Sequence, residues 1–280
     1  MTARSSADSS AFKRGDVSAL SRRLPGMVFA VSLSALFLLT ACQERRAGQT
    51  LRIFAASSLQ ESFHELAARF ERDNPEIHVQ LNFGGSQVLR VQLEQGARAD
   101  LFASANAEHA MALSAAGVLE QAQPFAENEL VVIVPKDNPA RLATFRDLSR
   151  APRIVMGTEA VPIGKYSRVV LKRAAERFGS EFVTRVNERV VSEESNVRLV
   201  RAKVEFGEVD AAIVYGTDAV ASVRVSAIAI PEDINATVEY LIGHTTRSKN
   251  VQAARAFVTF LRSPTAQVIL ERRGFLVEAM

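Results

Sequence analysis

Apolar positions in this chain fall into short blocks whose spacing switches repeatedly between strand-like and helix-like. Leu51–Ala56 is mostly apolar, the pattern of a buried strand. Leu59, Phe63, Leu66, Ala67 and Phe70 then recur at helical spacing until Asn74-Pro75 stops the helix. Ile77, Val79, Leu81 and Phe83 alternate as a half-buried strand, followed by a helix from Gln87 to Gln95 that ends at Gly96. Leu101–Ala105 predicts a strand and Ala107–Ala116 a helix closed by Gly117. The second half keeps the rhythm. Leu130–Val134, Arg153–Met156, Val190-Val191, Ala211–Tyr215, Val223–Ile230 and Val238–Ile242 read as strands. Between and after them lie helices at Thr144–Leu148, Gly164–Phe178, Val197–Phe206, Asn250–Leu261 and Thr265–Arg273. Such alternation predicts an α/β architecture with helices on both faces of its sheets.

The N-terminus follows a different pattern. Lys13, Arg14, Arg22 and Arg23 precede an apolar stretch from Val28 to Leu39, and Leu39-Thr-Ala-Cys42 comes next. A short apolar run between basic and small residues is an export signal, too short for a permanent span of about 20 apolar residues. The tetrapeptide resembles a lipobox, so residues 1–41 are expected to be a lipoprotein signal peptide with Cys42 lipidated. An ordinary signal peptide that contains a cysteine is the alternative. Residues 42–49 form a polar tether.

Removing residues 1–41 changes the charge picture. Five basic and two acidic residues leave with them, so 34 Lys and Arg fall to 29 and 31 Asp and Glu fall to 29. The basic balance of the whole chain thus belongs to the export signal and gives no argument for a nucleic-acid partner. Cys42 is the only cysteine, so its lipidation would leave no thiol for disulfides, redox chemistry or metal ligation. The mature part is long enough for one large domain or two lobes.

Candidate chemistry gathers where predicted strands hand over to helices. The segments are Phe54-Ala-Ala-Ser-Ser-Leu59, Phe83-Gly-Gly-Ser86, Val161-Pro-Ile-Gly-Lys-Tyr166 and Ile213-Val-Tyr-Gly-Thr-Asp-Ala219, with Ser195-Asn-Val-Arg198 opening another helix. Helix N-termini present unpaired N–H groups and partial positive charge, and ligands of open α/β sheets bind beyond the strand carboxyl ends. Hydroxyls and amides at several such ends predict capture of a small oxyanion by neutral donors.

These segments, with Ala99-Asp-Leu-Phe-Ala-Ser-Ala105, resemble the hallmarks of the periplasmic molybdate-binding proteins of molybdate ABC transporters, in family order over nearly all of residues 50–280. The resemblance implies a two-lobed periplasmic binding protein of type II-like fold, with two hinge strands and a ligand cleft between lobes. It places lobe I at 50–128 plus 241–280 and lobe II at 129–240. It further implies that Ser58 and Ser86 bind from lobe I, that Ile163 and Val197 donate backbone N–H groups from lobe II, and that Tyr215 donates its phenol O–H. These five would touch the oxyanion oxygens and not ligate the metal directly. The implied ligand is molybdate, with tungstate hardly distinguished from it. Implied partners are an ABC permease and its ATPase, the membrane through the lipid anchor alone, and no nucleic acid. A monomer in the periplasm or cell envelope, without a cofactor, completes the expectation. Ile163 stands where the family often has alanine, Gly84-Gly85 replaces more serine-like residues, and Ser57 is a further possible donor.

The donor set suits the implied ligand. Molybdate carries no proton at neutral pH and only accepts hydrogen bonds, each worth roughly 1.5–3 kcal/mol when the partner is charged. Hydrogen phosphate would bring an unmatched proton into such a site, whereas sulfate differs mainly by being smaller. Each residue also has a plainer reading. Ser58 and Ser86 suit helix N-caps, Tyr215 a core position satisfied internally, Tyr166 packing in the second lobe, Asp218 the cap of the turn after Tyr215, and Asp100 the turn into its strand. An enzyme is not expected: His64, His78, His109 and His244 share no ligand spacing, and neither a Gly-x-Ser-x-Gly elbow nor a Walker loop occurs. Binding of another oxyanion such as sulfate or phosphate, a secreted enzyme for an anionic substrate, and a sensor are the alternatives.

Overall fold

The computed structural model describes residues 48–277. The signal peptide expected at 1–41 and Cys42 lie outside them, as does all of the expected tether but its last two residues. Strands and helices alternate as the apolar spacing requires. The first half runs β1 (Gln49–Ala56), a 3-10 turn (Ser57–Leu59), α1 (Gln60–Asp73), β2 (Ile77–Gly84), α2 (Ser86–Glu94), β3 (Leu101–Ser104), α3 (Ala107–Ala115) and β4 (Leu119–Asn128). The second runs β5 (Leu130–Pro135), a 3-10 segment (Phe145–Arg150), β6 (Ile154–Gly157), α4 (Pro162–Phe178), α5 (Ser180–Glu188), β7 (Val190–Glu194), α6 (Val197–Glu205), β8 (Ala211–Tyr215), α7 (Gly216–Val220) and β9 (Val225–Ala229). β10 (Val238–Thr245), α8 (Val251–Leu261) and α9 (Pro264–Arg272) close the chain.

Two five-stranded mixed sheets result, in the orders β2-β1-β3-β10-β4 and β7-β6-β8-β5-β9. β1 pairs in parallel with β2 and β3, while β10 runs antiparallel to both β3 and β4. The second sheet repeats the scheme: β6 is parallel to β7 and β8, and β5 is antiparallel to β8 and β9. The chain passes from the first sheet to the second between Asn128 and Leu130 and returns between β9 and β10. The two passages are tied to each other. Leu130 N–H donates to Asn235 Oδ1 (3.3 Å), and Asn235 Nδ2 donates to the Leu130 carbonyl (3.0 Å).

Each sheet is covered by the apolar stripe of its helices. α1 turns Phe63, Leu66, Ala67 and Phe70 inward, and Phe70 meets Phe257 of α8 edge-on at 5.1 Å. In the second sheet's layer, Phe145 stacks on Phe182 (5.5 Å), which also touches Phe178 (5.4 Å). Between the sheets, the Tyr240 ring packs on Tyr215 (5.9 Å), Phe125 (6.2 Å) and Phe275 (5.3 Å). Tyr166 packs against the core as expected. Asp100 does more than shape a turn: it accepts from Arg52 N–H, Ser248 Oγ and Asn250 Nδ2, joining β1 to the start of α8.

Two longer elements, beside the short α7, were not read from the sequence. β4 carries Pro124 and five polar residues among its ten, which masks its period. It tolerates proline because it is an edge strand. α5 buries only Phe182 and Val186, too short a stripe to stand out. It starts directly at Gly179, whose φ of 87° turns the chain out of α4.

Candidate functional site

Five strand ends converge. β1 and β2 of the first sheet deliver Ser58 and Ser86, and β6, β7 and β8 of the second deliver Ile163, Val197 and Tyr215. All five line one small cavity, together with Ser57. Every residue lining it is neutral. The site therefore offers donors without fixed charge.

Neither serine is the helix cap that its position allowed. The 3-10 turn and α2 have no side-chain cap bond, and α2 begins at Ser86 with Gly85 before it. Ser58 Oγ instead accepts from Tyr240 Oη at 2.9 Å, and Ser86 Oγ accepts from Ala105 N–H at 3.1 Å. With a lone pair of each oxygen engaged from the protein side, each hydroxyl keeps its proton to donate. Both residues are buried, Ser86 at 1% exposure.

The helix ends contribute backbone donors. Pro162 occupies the first turn of α4 and brings no N–H, so Ile163 offers the first. Asn196 caps α6 by accepting from Leu199 N–H at 3.1 Å, which leaves the Val197 and Arg198 N–H groups without intrahelical acceptors. Both helices direct their positive ends to the cavity. Gly164 makes the approach of α4 possible. A Cβ there would overlap the backbone carbonyl oxygens of Thr158 and Gly157.

Tyr215 is the least expected in its details. It is 1% exposed, and its Oη has no hydrogen-bond partner in the protein. Burial drives its pKa well above the usual phenol value, so the group stays an O–H donor. Leaving a buried hydroxyl unmatched costs about 1–3 kcal/mol, which makes it a conspicuous feature beside a cavity.

Asp218 stands in the first turn of α7. Its Oδ1 lies 3.5 Å from Arg201 Nη1 while Oδ2 is unpartnered. Burial pushes its pKa up to about 7, with Arg201 opposing the shift. Further ties bridge the cleft's two sides. Gln87 Nε2 donates to the Ser195 carbonyl (2.8 Å), Arg198 pairs with Glu61 (2.5 Å), and Lys165 pairs with Glu108. Burial acts to raise the Glu61 pKa, but its bond to Arg198 and the nearby Arg201 hold it below the usual range.

The hydroxyls lack the neighbours that nucleophilic chemistry needs. Neither Ser58 nor Ser86 hydrogen-bonds to a histidine, lysine or carboxylate among the described residues. Among those residues no group of three or more His, Cys, Asp or Glu gathers as a metal site, and no helix is long and apolar enough to cross a membrane.

Two lobes joined by a double crossing, with a donor-lined cavity between the strand ends, define a solute-binding protein. The sequence profile of the bacterial extracellular solute-binding proteins matches residues 51–276, and the chain belongs to that family. It is 33% identical over 230 residues to the molybdate-binding protein ModA of Mycobacterium tuberculosis (strain ATCC 25618 / H37Rv), which covers 81% of this chain and 84% of that one. Among solved structures it superposes on the Azotobacter vinelandii periplasmic molybdate-binding protein with a TM-score of 0.72 at 18% identity, over 82% of this chain and all of the other. The sulfate-binding protein SubI from Mycobacterium tuberculosis H37Rv gives 0.73 at 19% identity, over 82% and 87%. At those identities the two structures speak for the fold alone.

Proposed function

We propose that this protein captures molybdate, and tungstate with it, outside the cytoplasmic membrane and delivers it to an ABC permease with its ATPase. Ser58, Ser86 and Tyr215 would donate through hydroxyls, and Ile163 and Val197 through backbone N–H groups. One observation carries the reading: a neutral cavity rich in donors beside a buried Tyr215 hydroxyl that has no other partner. An unprotonated tetrahedral dianion answers that demand, and about five bonds, discounted for desolvation and ordering, suffice for micromolar affinity or better. The protein would act as a monomer without cofactor or catalysis, held to a membrane by lipid on Cys42. Similarity to ModA supports the ligand. Sulfate is the second reading, because it makes the same demand for donors and the SubI fold is shared.

The test is isothermal titration of the purified chain with molybdate, tungstate, sulfate and phosphate, beside a Tyr215→Phe variant. One-to-one binding of molybdate and tungstate, weakened roughly tenfold to hundredfold in the variant, is expected. Heat from sulfate or phosphate alone would reassign the ligand.

A further inference from the structure

Ser86 and Val197 face the cavity from opposite lobes, and the chain segments beside them touch. The contact is made by Gly85, the residue before Ser86, and by the carbonyl of Ser195, two residues before Val197. A Cβ built on Gly85 would lie 2.6 Å from that oxygen. Carbon and carbonyl oxygen ordinarily stay about 3.3 Å or more apart, so the two segments would have to separate by about 0.7 Å. Gln87 marks the same seam, its Nε2 donating to the Ser195 carbonyl at 2.8 Å. The Gln87 amide would also meet the added carbon at 2.6 Å, but the end of a flexible side chain swings aside and a backbone carbonyl does not.

Nothing in the backbone at this position calls for glycine. Gly85 has φ −63° and ψ 135°, extended values that any residue adopts. Its carbonyl accepts from Val88 and Leu89 N–H at 2.9 and 3.0 Å, bonds that a side chain would leave intact. Of the three atoms nearest the added Cβ, the two from its own lobe belong to the movable Gln87 amide. What excludes a side chain is therefore the opposite lobe. We propose that Gly85 is a positioning residue: by lacking a side chain it sets how closely the lobes meet, and with that the gap an anion spans between Ser86 and Val197. A methyl group there is a spacer. A hydrogen bond of about 2.9 Å stretched by about 0.7 Å is no longer one, so an anion held by Ser86 would lose the Val197 N–H. This inference rests on the oxyanion reading above.

The test is titration of the purified chain and its Gly85→Ala variant with molybdate and sulfate, with the unfolding midpoint of each measured without anion. Affinity for the anion that the wild type binds is expected to fall about tenfold to hundredfold in Gly85→Ala. The anion-free midpoint is expected to hold or rise slightly, because alanine narrows the unfolded ensemble and an open cleft has room for it. Unchanged affinity would show that this contact does not set the gap. A midpoint several degrees lower without anion would place the clash within one lobe. Either result overturns the proposal. Gln87→Ala supplies the second background. There the loss caused by Gly85→Ala is expected to persist in full, because the Ser195 carbonyl is the stop. A loss that vanishes would trace the effect to a displaced Gln87 amide and overturn the proposal as well. If the wild type binds neither anion, the oxyanion reading itself falls and takes the spacer with it, an outcome visible before any variant is made.

Discussion

Tyr215 sets function against stability at one atom. Its unmatched hydroxyl destabilises the ligand-free fold, so Tyr215→Phe should raise ligand-free stability by about 1 kcal/mol while it weakens molybdate. Denaturant unfolding without anion checks the first half, and a destabilised variant would contradict it. Asp218 makes a separate prediction about pH. Its carboxyl has a folded pKa of about 7 against an ordinary 3.8, so the folded state holds a proton that the unfolded chain has released. That contribution is fully present below about pH 4 and is lost as pH rises through about 7. Asp218→Asn should therefore gain several degrees in unfolding midpoint relative to wild type at pH 8, and little at pH 4. The strand-to-helix junctions that hold the five lining residues were legible in the sequence, whereas the choice of Ile163 and Val197 within them came from the family resemblance. Tyr240 was not legible: one hydroxyl in an alternating strand carries no local signal. Its bond to Ser58 spans 182 positions of the chain.

Among the elements, α4 shows how a backbone donor is placed. Pro162 begins the helix, Ile163 offers the N–H, and Gly164 lets both lie against the end of β6. Gly164→Ala is expected to push the helix start outward, at a cost of about 1–3 kcal/mol or more for overpacking, and to weaken molybdate binding. Unfolding and titration of the same variant separate the two effects. Full affinity would show that the Ile163 N–H is not a contact. Periodicity revealed the inner strands and the amphipathic helices well, because those are buried on both faces or carry a long stripe. It failed on β4 for the opposite reason. A solvent-facing edge with a proline needs little apolar surface, and β10 supplies its register. α5 escaped because two buried residues do not establish a period.

At the scale of the molecule, the cleft is held across by ion pairs as well as by whatever fills it. Glu61 and Arg198 are partly exposed, so their pair is worth up to about 1 kcal/mol. Glu61→Gln should lower molybdate affinity by a factor of about two to five and enlarge the ligand-free radius of gyration in solution scattering. Identical scattering with full affinity would deny the pair any part in closure. The hinge adds a constraint of another kind. Asn235 grips both backbone groups of Leu130, so neither crossing segment is able to slide past the other. Such a joint would behave like a door on one pin, leaving the opening angle free while suppressing shear and roll. Each opening would then retrace the path of the last, and the oxygens of the proposed anion would meet the same donors at every closure.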